Sequence, residues 1–479
     1  MNNFEVVIGI ENHVELKTKS KMFSPAPVSY GLEPNTQISD EDLGYPGFLP
    51  TVNKEGVRLA ILACNGLNLK IDSLLRFDRK NYFYPDLVKG FQITQQFHPI
   101  GSDGYIEVKL DNGTVKKIEI ERLHIEEDTA KQNHKEELTF IDYNRSGVGL
   151  VEIVSKPVIR SAEEAVGYVN NLREILLFLG VSDVKMNEGS LRCDVNISIR
   201  PYGYNGFGPK VEVKNLNSLN NVKKSIEFEI KRQTEIVLSG NEVQQETRRF
   251  DETKQETVLM RTKSDAIDYK YFREPNIVPI KLSEEWIQDV INNSPELPVV
   301  KKERYSSEYK FEEEEISYIL ASLELTNFFE QAVSLGAEPR KVLNYLTGDV
   351  KQLLNKENIS IDKSNLKPED IVEIISLLDQ GVISTKHVKT LLPIAFESDK
   401  KILDIIEENN LKLISDPKVI EEFLEPIVKQ NIDLIKEQYE QRPERVEKTL
   451  MGQLMKTTGG NVNPDVANKI ILEKIKENI

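Results

Sequence analysis

The sequence predicts an α+β chain: a mostly antiparallel β-sheet with flanking helices in the N-terminal part, followed by a long all-α part. Two observations carry this. Before about residue 290, several segments alternate strictly between apolar and polar side chains, the pattern of a sheet with one buried and one wet face. After the two prolines of residues 293–298 the apolar residues switch to helical spacing and keep it almost to the end. The 479 residues leave room for about two to four domains.

The first strand places Val6, Ile8, Ile10, Val14 and Leu16 on one side and Glu11, His13 and Glu15 on the other. Asn12 interrupts the apolar side. A buried Asn without partners costs about 1–3 kcal/mol, so it is expected to be hydrogen-bonded or near a sheet edge. In Arg122-Leu-His-Ile-Glu-Glu-Asp128, the polar side chains His124, Glu126 and Asp128 share a face, interleaved with Leu123 and Ile125. Residues 162–179 carry Ala165, Val166, Val169, Leu172, Ile175, Leu176 and Leu179 at helical spacing, and Gly180 stops that helix. Residues 192–200 alternate again, with Asp194, Asn196, Ser198 and Arg200 opposite Cys193, Val195, Ile197 and Ile199; residues 210–214 repeat the theme. A second helix is predicted over 217–236, with a long polar arm over 241–251 after it.

Beyond the proline-marked linker, the acidic run at 311–316 reads as a solvated helix start, since carboxylates suit helix N-termini. A weaker break falls at 395–400. Further helices are predicted over 416–429, 432–438 and 445–456, then a turn over 457–464 whose Pro464 opens the final helix.

Composition excludes several classes. The net charge of −16 argues against wholesale attraction to nucleic acid, although binding answers to the local surface and a basic patch stays open. No apolar run is long enough to span a bilayer, Met1-Asn-Asn-Phe-Glu5 lacks signal-peptide features, and two cysteines cannot build a disulfide framework. The chain is expected to be cytoplasmic. It has no Walker-type G-x-x-x-x-G-K-[ST] loop and no G-x-S-x-G, so neither that phosphate cradle nor an obvious hydrolytic nucleophile is offered.

Three motifs point to chemistry. Were the two acidic strand faces to lie side by side, Glu11, His13, Glu126 or Glu127, and Glu152 would form an oxygen–imidazole cluster suited to a divalent metal, and metal in turn suggests phosphate. Glu152 sits inside the apolar run Leu150-Val-Glu-Ile-Val154, where an unpaired charge is expensive. The alternative is that each acid is neutralised by Arg122, Arg145 or Arg160. In Phe77-Asp-Arg-Lys-Asn-Tyr-Phe-Tyr-Pro-Asp86, Lys80 either steers ammonia, a carboxylate or a phosphate, or simply sits at the surface beside packed aromatics. In Met186-Asn-Glu-Gly-Ser-Leu-Arg-Cys-Asp-Val-Asn196, either Ser190, Arg192 and Asp194 read phosphate or sugar hydroxyls, or the segment is a plain turn entering a strand.

Together with Val7-Ile-Gly-Ile-Glu-Asn-His-Val-Glu-Leu16 and Lys214-Asn-Leu-Asn-Ser218, these motifs resemble the B subunit of the tRNA-dependent aspartyl/glutamyl-tRNA(Asn/Gln) amidotransferase, the GatB family. The match runs in order over nearly the whole chain, to Gly452-Gln-Leu-Met-Lys456 and Asn463-Pro464. The resemblance implies a β-rich cradle domain over 1–293, a helical domain over 294–405 and a small tRNA-binding helical tail over 406–479. It implies that ATP phosphorylates the side-chain carboxylate of Glu-tRNA(Gln) or Asp-tRNA(Asn). Ammonia from the glutaminase, the A subunit, would then displace phosphate, with the C subunit completing a heterotrimer. Carried over, Glu11, His13, Glu126, Glu127 and Glu152 would ligate or flank Mg²⁺, Lys80 would lie near the mouth of the ammonia channel, and Ser190, Arg192, Asp194 and Asn196 would line the same cavity. The chain departs from the family pattern at Asn12, at Val148-Gly149-Leu150, at Lys156, at Phe272-Arg-Glu-Pro-Asn276 and at Tyr345. Gly149 and Lys156 flank Glu152 in sequence, so a noncatalytic tRNA-binding role is the alternative to an active one. A stand-alone metal-dependent nuclease or phosphatase is the third reading.

Overall fold

The computed structural model describes residues 4–262 and 268–479, so the Met1-Asn-Asn start read for targeting features lies outside it. The chain divides into two compact units, Met1–Val300 and Lys301–Ile479.

The first unit is built on a nine-stranded sheet. Its order is Glu256–Thr262, Glu246–Asp251, Val211–Lys214, Leu191–Pro201, Phe4–Glu15, Gly149–Ser155, Val115–Glu127, Gly101–Lys109 and Lys70–Ile71. Every pairing is antiparallel except Val211–Lys214 with Glu246–Asp251. The sheet buries one face completely: Ile8, Ile10, Val14, Ile125, Ile153, Val195 and Ile197 join a single apolar core with the helices Lys54–Gly66, Ala162–Phe178 and Leu219–Leu238. The period of two therefore leaves the opposite face polar. The Ala162–Phe178 helix starts where the Ser161 hydroxyl accepts from the Glu164 N–H at 3.1 Å and ends before Gly180, whose φ of +67° is the left-handed conformation that helix termini favour. The predicted polar arm at 241–251 differs from expectation, because Glu246–Asp251 is a strand. Its pairing with Val211–Lys214 buries Thr247 and Phe250, a rescue by partner that the local polarity conceals.

Asn12 meets the first of its two expected arrangements, and only with its nitrogen. Its strand is central rather than at an edge, and its Nδ2 donates a long 3.5 Å bond to the Arg192 carbonyl, with the Cys193 sulfur also within its reach. The Oδ1, fully buried, has no partner.

The second unit is helical, as predicted, running from Pro298–Ser307 at its border to Pro464–Asn478. It holds two apolar clusters, one from Tyr305 to Leu411 and one from Ile420 to Ile475. The expected 405/406 boundary falls inside the Ile402–Glu408 helix, and the segments carrying the two clusters are tied after it, where the Leu413 N–H donates to the Val382 carbonyl at 2.8 Å and the His387 ring bonds Asn461 Oδ1 at 2.8 Å. The acidic run begins a helix at Glu313–Ile319, with Glu312 and Glu315 in a reciprocal capping arrangement. Among the described residues, no helix is long and apolar enough to cross a membrane.

Candidate functional site

The two acidic segments are not neighbours. Gly149–Ser155 runs between them, and its register sets His13 opposite Glu152 and Glu152 opposite His124. All three project from the polar face in one cross-strand row, where directly opposed side chains come within contact distance. Glu126, two residues along from His124, joins the same face. His13 Nε2 lies 3.5 Å from Glu126 Oε1 and 3.7 Å from Glu152 Oε2. His124 Nε2 lies 2.9 Å from Glu152 Oε2 and 3.8 Å from Glu126 Oε2. His124 and Glu126 are buried.

Arginines do not neutralise this cluster. Arg122 takes Glu121, Arg160 takes Glu5, and Arg145 takes Asp128 at 3.5 Å together with the carbonyls of Thr129 and Ala130. The cluster instead settles its own charge. Burial alone would lower the His124 pKa, but Glu152 and Glu126 outweigh it and lift it to about 9. Against its own burial, the Glu152 carboxyl is held well below the usual carboxylate range by His124, His13 and Lys80.

One ligand atom each from His13, Glu126 and Glu152 lie within 4.8 Å of one another. Two carboxylates and an imidazole can hold a divalent cation. Magnesium in particular is usually held by one or two carboxylates with phosphates completing the shell, so the two carboxylates of this donor set fit the ion that the family resemblance implies.

Lys80 reaches this cluster from a separate small sheet formed by Asp78–Asn81, Phe91–Thr94 and Phe272–Arg273. Its Nζ lies 5.1 Å from the Tyr269 ring centre. Burial disfavours its charge, yet Glu126 and Glu152 more than compensate, so Lys80 stays cationic. The aromatics beside it do not all pack: Phe83 is 96% exposed. Two glutamines clamp the small sheet to the Val115–Glu127 strand. Gln95 Oε1 accepts from the Ile125 N–H at 2.9 Å, and Gln92 Nε2 donates to the Glu127 carbonyl at 2.5 Å. Nothing in their sequence context singles them out.

A cavity of about 820 Å³ opens at the His13 end of the row, lined among others by His13, Lys80, Glu126, Asp128, Arg192 and Lys214. Arg192 Nη2 donates to Asp128 Oδ2 at 2.7 Å, and Lys214 Nζ donates to Asp194 Oδ2 at 2.6 Å. The floor thus alternates fixed charges of both signs. Lys214 and Asp128 are site residues that sequence reasoning passed over. The signals were there: alternation puts Asp128 on the face of His124 and Glu126, and Lys214 opens one of the family motifs.

Four candidates stand elsewhere. Glu127, adjacent to Glu126, necessarily points through the opposite face. There its carboxylate accepts from Lys89 Nζ at 2.6 and 2.7 Å and from the Ile93 N–H at 2.9 Å, in a separate cavity of about 320 Å³ that includes Asp42. Glu11 is one row further along; its Oε1 accepts from Asn196 Nδ2 at 2.8 Å, and both line a third cavity of about 330 Å³. The Ser190 hydroxyl is spent on its own turn, accepting from the Lys185 N–H at 2.8 Å, so it shapes the cavity rim through Gly189 and Leu191 rather than facing the cavity. Of the sequence departures, Lys156 turns away to Asp103 at 3.6 Å and Glu119 at 3.9 Å, and Gly149 leaves Glu152 in register. Cys193, buried on the apolar face, has its thiol pushed far up by desolvation.

Residues 6–288 match the family model described as the GatB/GatE catalytic domain, and residues 327–475 match the one described as the GatB domain. The B subunit of the aspartyl/glutamyl-tRNA(Asn/Gln) amidotransferase of Mesoplasma florum is 59% identical over the full length of both chains. The protein of the same name from Mycoplasma mycoides is 58% identical, also over both full lengths, and that from Macrococcus caseolyticus is 46% identical over 99% of this chain and 100% of its own. With both models matched in order and identity sustained from end to end, the chain belongs to the family of B subunits of the aspartyl/glutamyl-tRNA(Asn/Gln) amidotransferase, a ligase-type enzyme that acts as a complex.

Proposed function

We propose that the cavity at the His13 end of the His13–Glu152–His124 row is where a mischarged Glu-tRNA(Gln) or Asp-tRNA(Asn) has its side-chain carboxylate activated by ATP and then amidated, within a heterotrimer with the glutaminase (the A subunit) and the C subunit. The observation that carries this reading is the convergence of His13, Glu126 and Glu152 within 4.8 Å, with His13, Glu126 and Lys80 lining a cavity of about 820 Å³. A carboxylate oxygen attacks the γ-phosphorus and ADP leaves; ammonia then attacks the acyl carbon, inorganic phosphate leaves, and the surplus ammonium proton passes to solvent or a nearby base. Both steps gather negative charge on phosphoryl oxygens, so most of the catalysis is positioning and charge stabilisation.

His13, Glu126 and Glu152 would hold Mg²⁺, which when bound supplies positive charge against the phosphate oxygens. Lys80 and Arg192 both line the cavity and supply fixed cations there. His124 orients the Glu152 carboxylate through its 2.9 Å contact, the supporting role that neighbours of metal ligands commonly take. Residues 294–405 and the tail at 406–479 hold the tRNA body through its shape and backbone. The missing nucleophile fits this division of labour, because glutamine hydrolysis belongs to the glutaminase.

The test is amidation of both mischarged tRNAs by the reconstituted complex with ATP and Mg²⁺. Glu126→Gln is expected to abolish amidation while glutaminase turnover continues; unchanged amidation would refute the site. ATP cleavage that is absent even in the wild-type complex would favour the noncatalytic alternative. Cleavage of tRNA by this chain alone would favour the nuclease.

A further inference from the structure

Lys80 is a charged side chain held without a charged partner. Among the described residues its ammonium makes no hydrogen bond and meets no carboxylate within 4 Å. The other two cations lining the cavity differ: Arg192 is bound to Asp128 and Lys214 to Asp194. Aromatic faces take the place of a carboxylate at Lys80. Its Nζ lies 5.1 Å from the Tyr269 ring centre and 6.0 Å from that of Tyr82. Tyr82 and Tyr269 stand edge to face with centres 5.8 Å apart, and Tyr271 adjoins Tyr269 at 5.9 Å. Of this group only Lys80 and Tyr82 line the cavity.

Strand pairing fixes the rings. Phe272 lies opposite Arg79 in the small sheet, and continuing that register sets Tyr271 level with Lys80 on the same face. Asn81 extends the join: its N–H donates to the Tyr269 carbonyl at 2.9 Å and its Nδ2 to the Lys270 carbonyl at 2.8 Å. Phe97 packs its ring against Tyr271, centres 6.2 Å apart. Lys80 also works against the burial that raises the Tyr271 pKa, which marks the two as neighbours. A ring face attracts an ammonium through its quadrupole. A carboxylate would hold Lys80 as well, but it would occupy the N–H donors and cancel the charge. Held by rings, the side chain keeps its place, its whole charge and three donors for a ligand.

We propose that Tyr269 is a positioning residue for amidation: with Tyr82 it holds the Lys80 ammonium by cation–π attraction, so that the Lys80 donors stay free for the oxygens of the carboxylate and phosphoryl group reacting in the cavity. This rests on the reading of the cavity as the activation site, and names what places its one cation without a carboxylate among the described residues. Tyr269 does not line the cavity and acts through Lys80. Oxygens that gain charge during phosphoryl transfer are stabilised best by a cation already in place, with no partner to give up at the moment of reaction.

The test is a double-mutant cycle between Tyr269 and Lys80, read as amidation of Glu-tRNA(Gln) by the reconstituted complex with ATP and Mg²⁺. Tyr269→Leu keeps the bulk and removes the ring face. Its kcat is expected to fall about tenfold, with KM for the mischarged tRNA within about twofold of wild type. Tyr269→Phe restores the face and should recover kcat to within about threefold of wild type. In a Lys80→Met background there is no cation to place, so Tyr269→Leu should cost nothing further; a mere packing or folding defect would cost as much in either background. A wild-type kcat in Tyr269→Leu, an equal fall in Tyr269→Phe, or a loss that persists in full beside Lys80→Met overturns the inference. If Lys80→Met itself amidates at the wild-type rate, the reading of the cavity falls first; if it is impaired and Tyr269→Leu is not, only this inference falls.

Discussion

Replacing Glu152 by Gln isolates the electrostatics of the site. His124 is buried, its Nδ1 has no partner, and its Nε2 faces Glu152 at 2.9 Å and Glu126 at 3.8 Å. Its pKa stands at about 9 in the folded chain, against about 6.5 unfolded. A pKa raised on folding contributes stability that is complete below about pH 6.5 and is lost as pH rises through about 9. At about 1.36 kcal/mol per pH unit the full contribution is about 3.4 kcal/mol, of which about 2.5 kcal/mol remains at pH 7. Glutamine keeps the shape of Glu152 without the charge, and Glu126, more distant, retains a part. The metal-free variant is therefore expected to lose about 2 kcal/mol at pH 7 and most of the stability slope between pH 7 and 9. Urea unfolding followed by tryptophan fluorescence measures this for the first unit alone, because the single tryptophan, Trp286, packs against that unit's core. In the same assay, Mg²⁺ or Mn²⁺ at a hundred times its dissociation constant should stabilise the wild type by about 2.7 kcal/mol, and Glu152→Gln far less. Equal midpoints for both proteins at pH 7, with equal slopes toward pH 9, would refute the charged-imidazole account.

Two further substitutions use the same fluorescence assay. Glu127→Gln leaves Lys89 half-buried without its counter-ion and is expected to destabilise the first unit by about 3 kcal/mol; since Glu127 faces away from the row, stabilisation by added metal should survive, and its loss would return Glu127 to the metal set. Asn12→Leu removes a buried acceptor that has no partner and should raise stability by about 1 kcal/mol; a destabilised variant would mean that Asn12 Oδ1 is bonded after all.

The period-two pattern is enough to say which side chains share a face, because alternation along a strand is a local property of the backbone. It puts His13 with Glu11, His124 with Glu126, and Cys193 opposite Asp194, and the helices of the second unit are equally legible from their 3.6-residue spacing, their caps and Pro464. The same rule, applied to adjacent Glu126 and Glu127, already implies that only one of them can face the row. The family motifs single out both, and the motif cannot tell them apart.

Strand order and register belong to the tertiary structure. Nothing local says that Gly149–Ser155 runs between the two acidic strands, yet that placement turns Glu152 from an isolated charge in an apolar run into the centre of the site. A shift of register by two residues would keep every side chain on its face and still set different residues opposite Glu152. The sequence by itself thus determined the family, the α+β architecture and the chemical types on each face, since these follow from residue order. Which carboxylates meet, that Glu11 lies one row away with Asn196, and that Lys80 arrives from another sheet were decided only by long-range pairing, because contacts between segments distant in the chain leave no periodic trace in either segment.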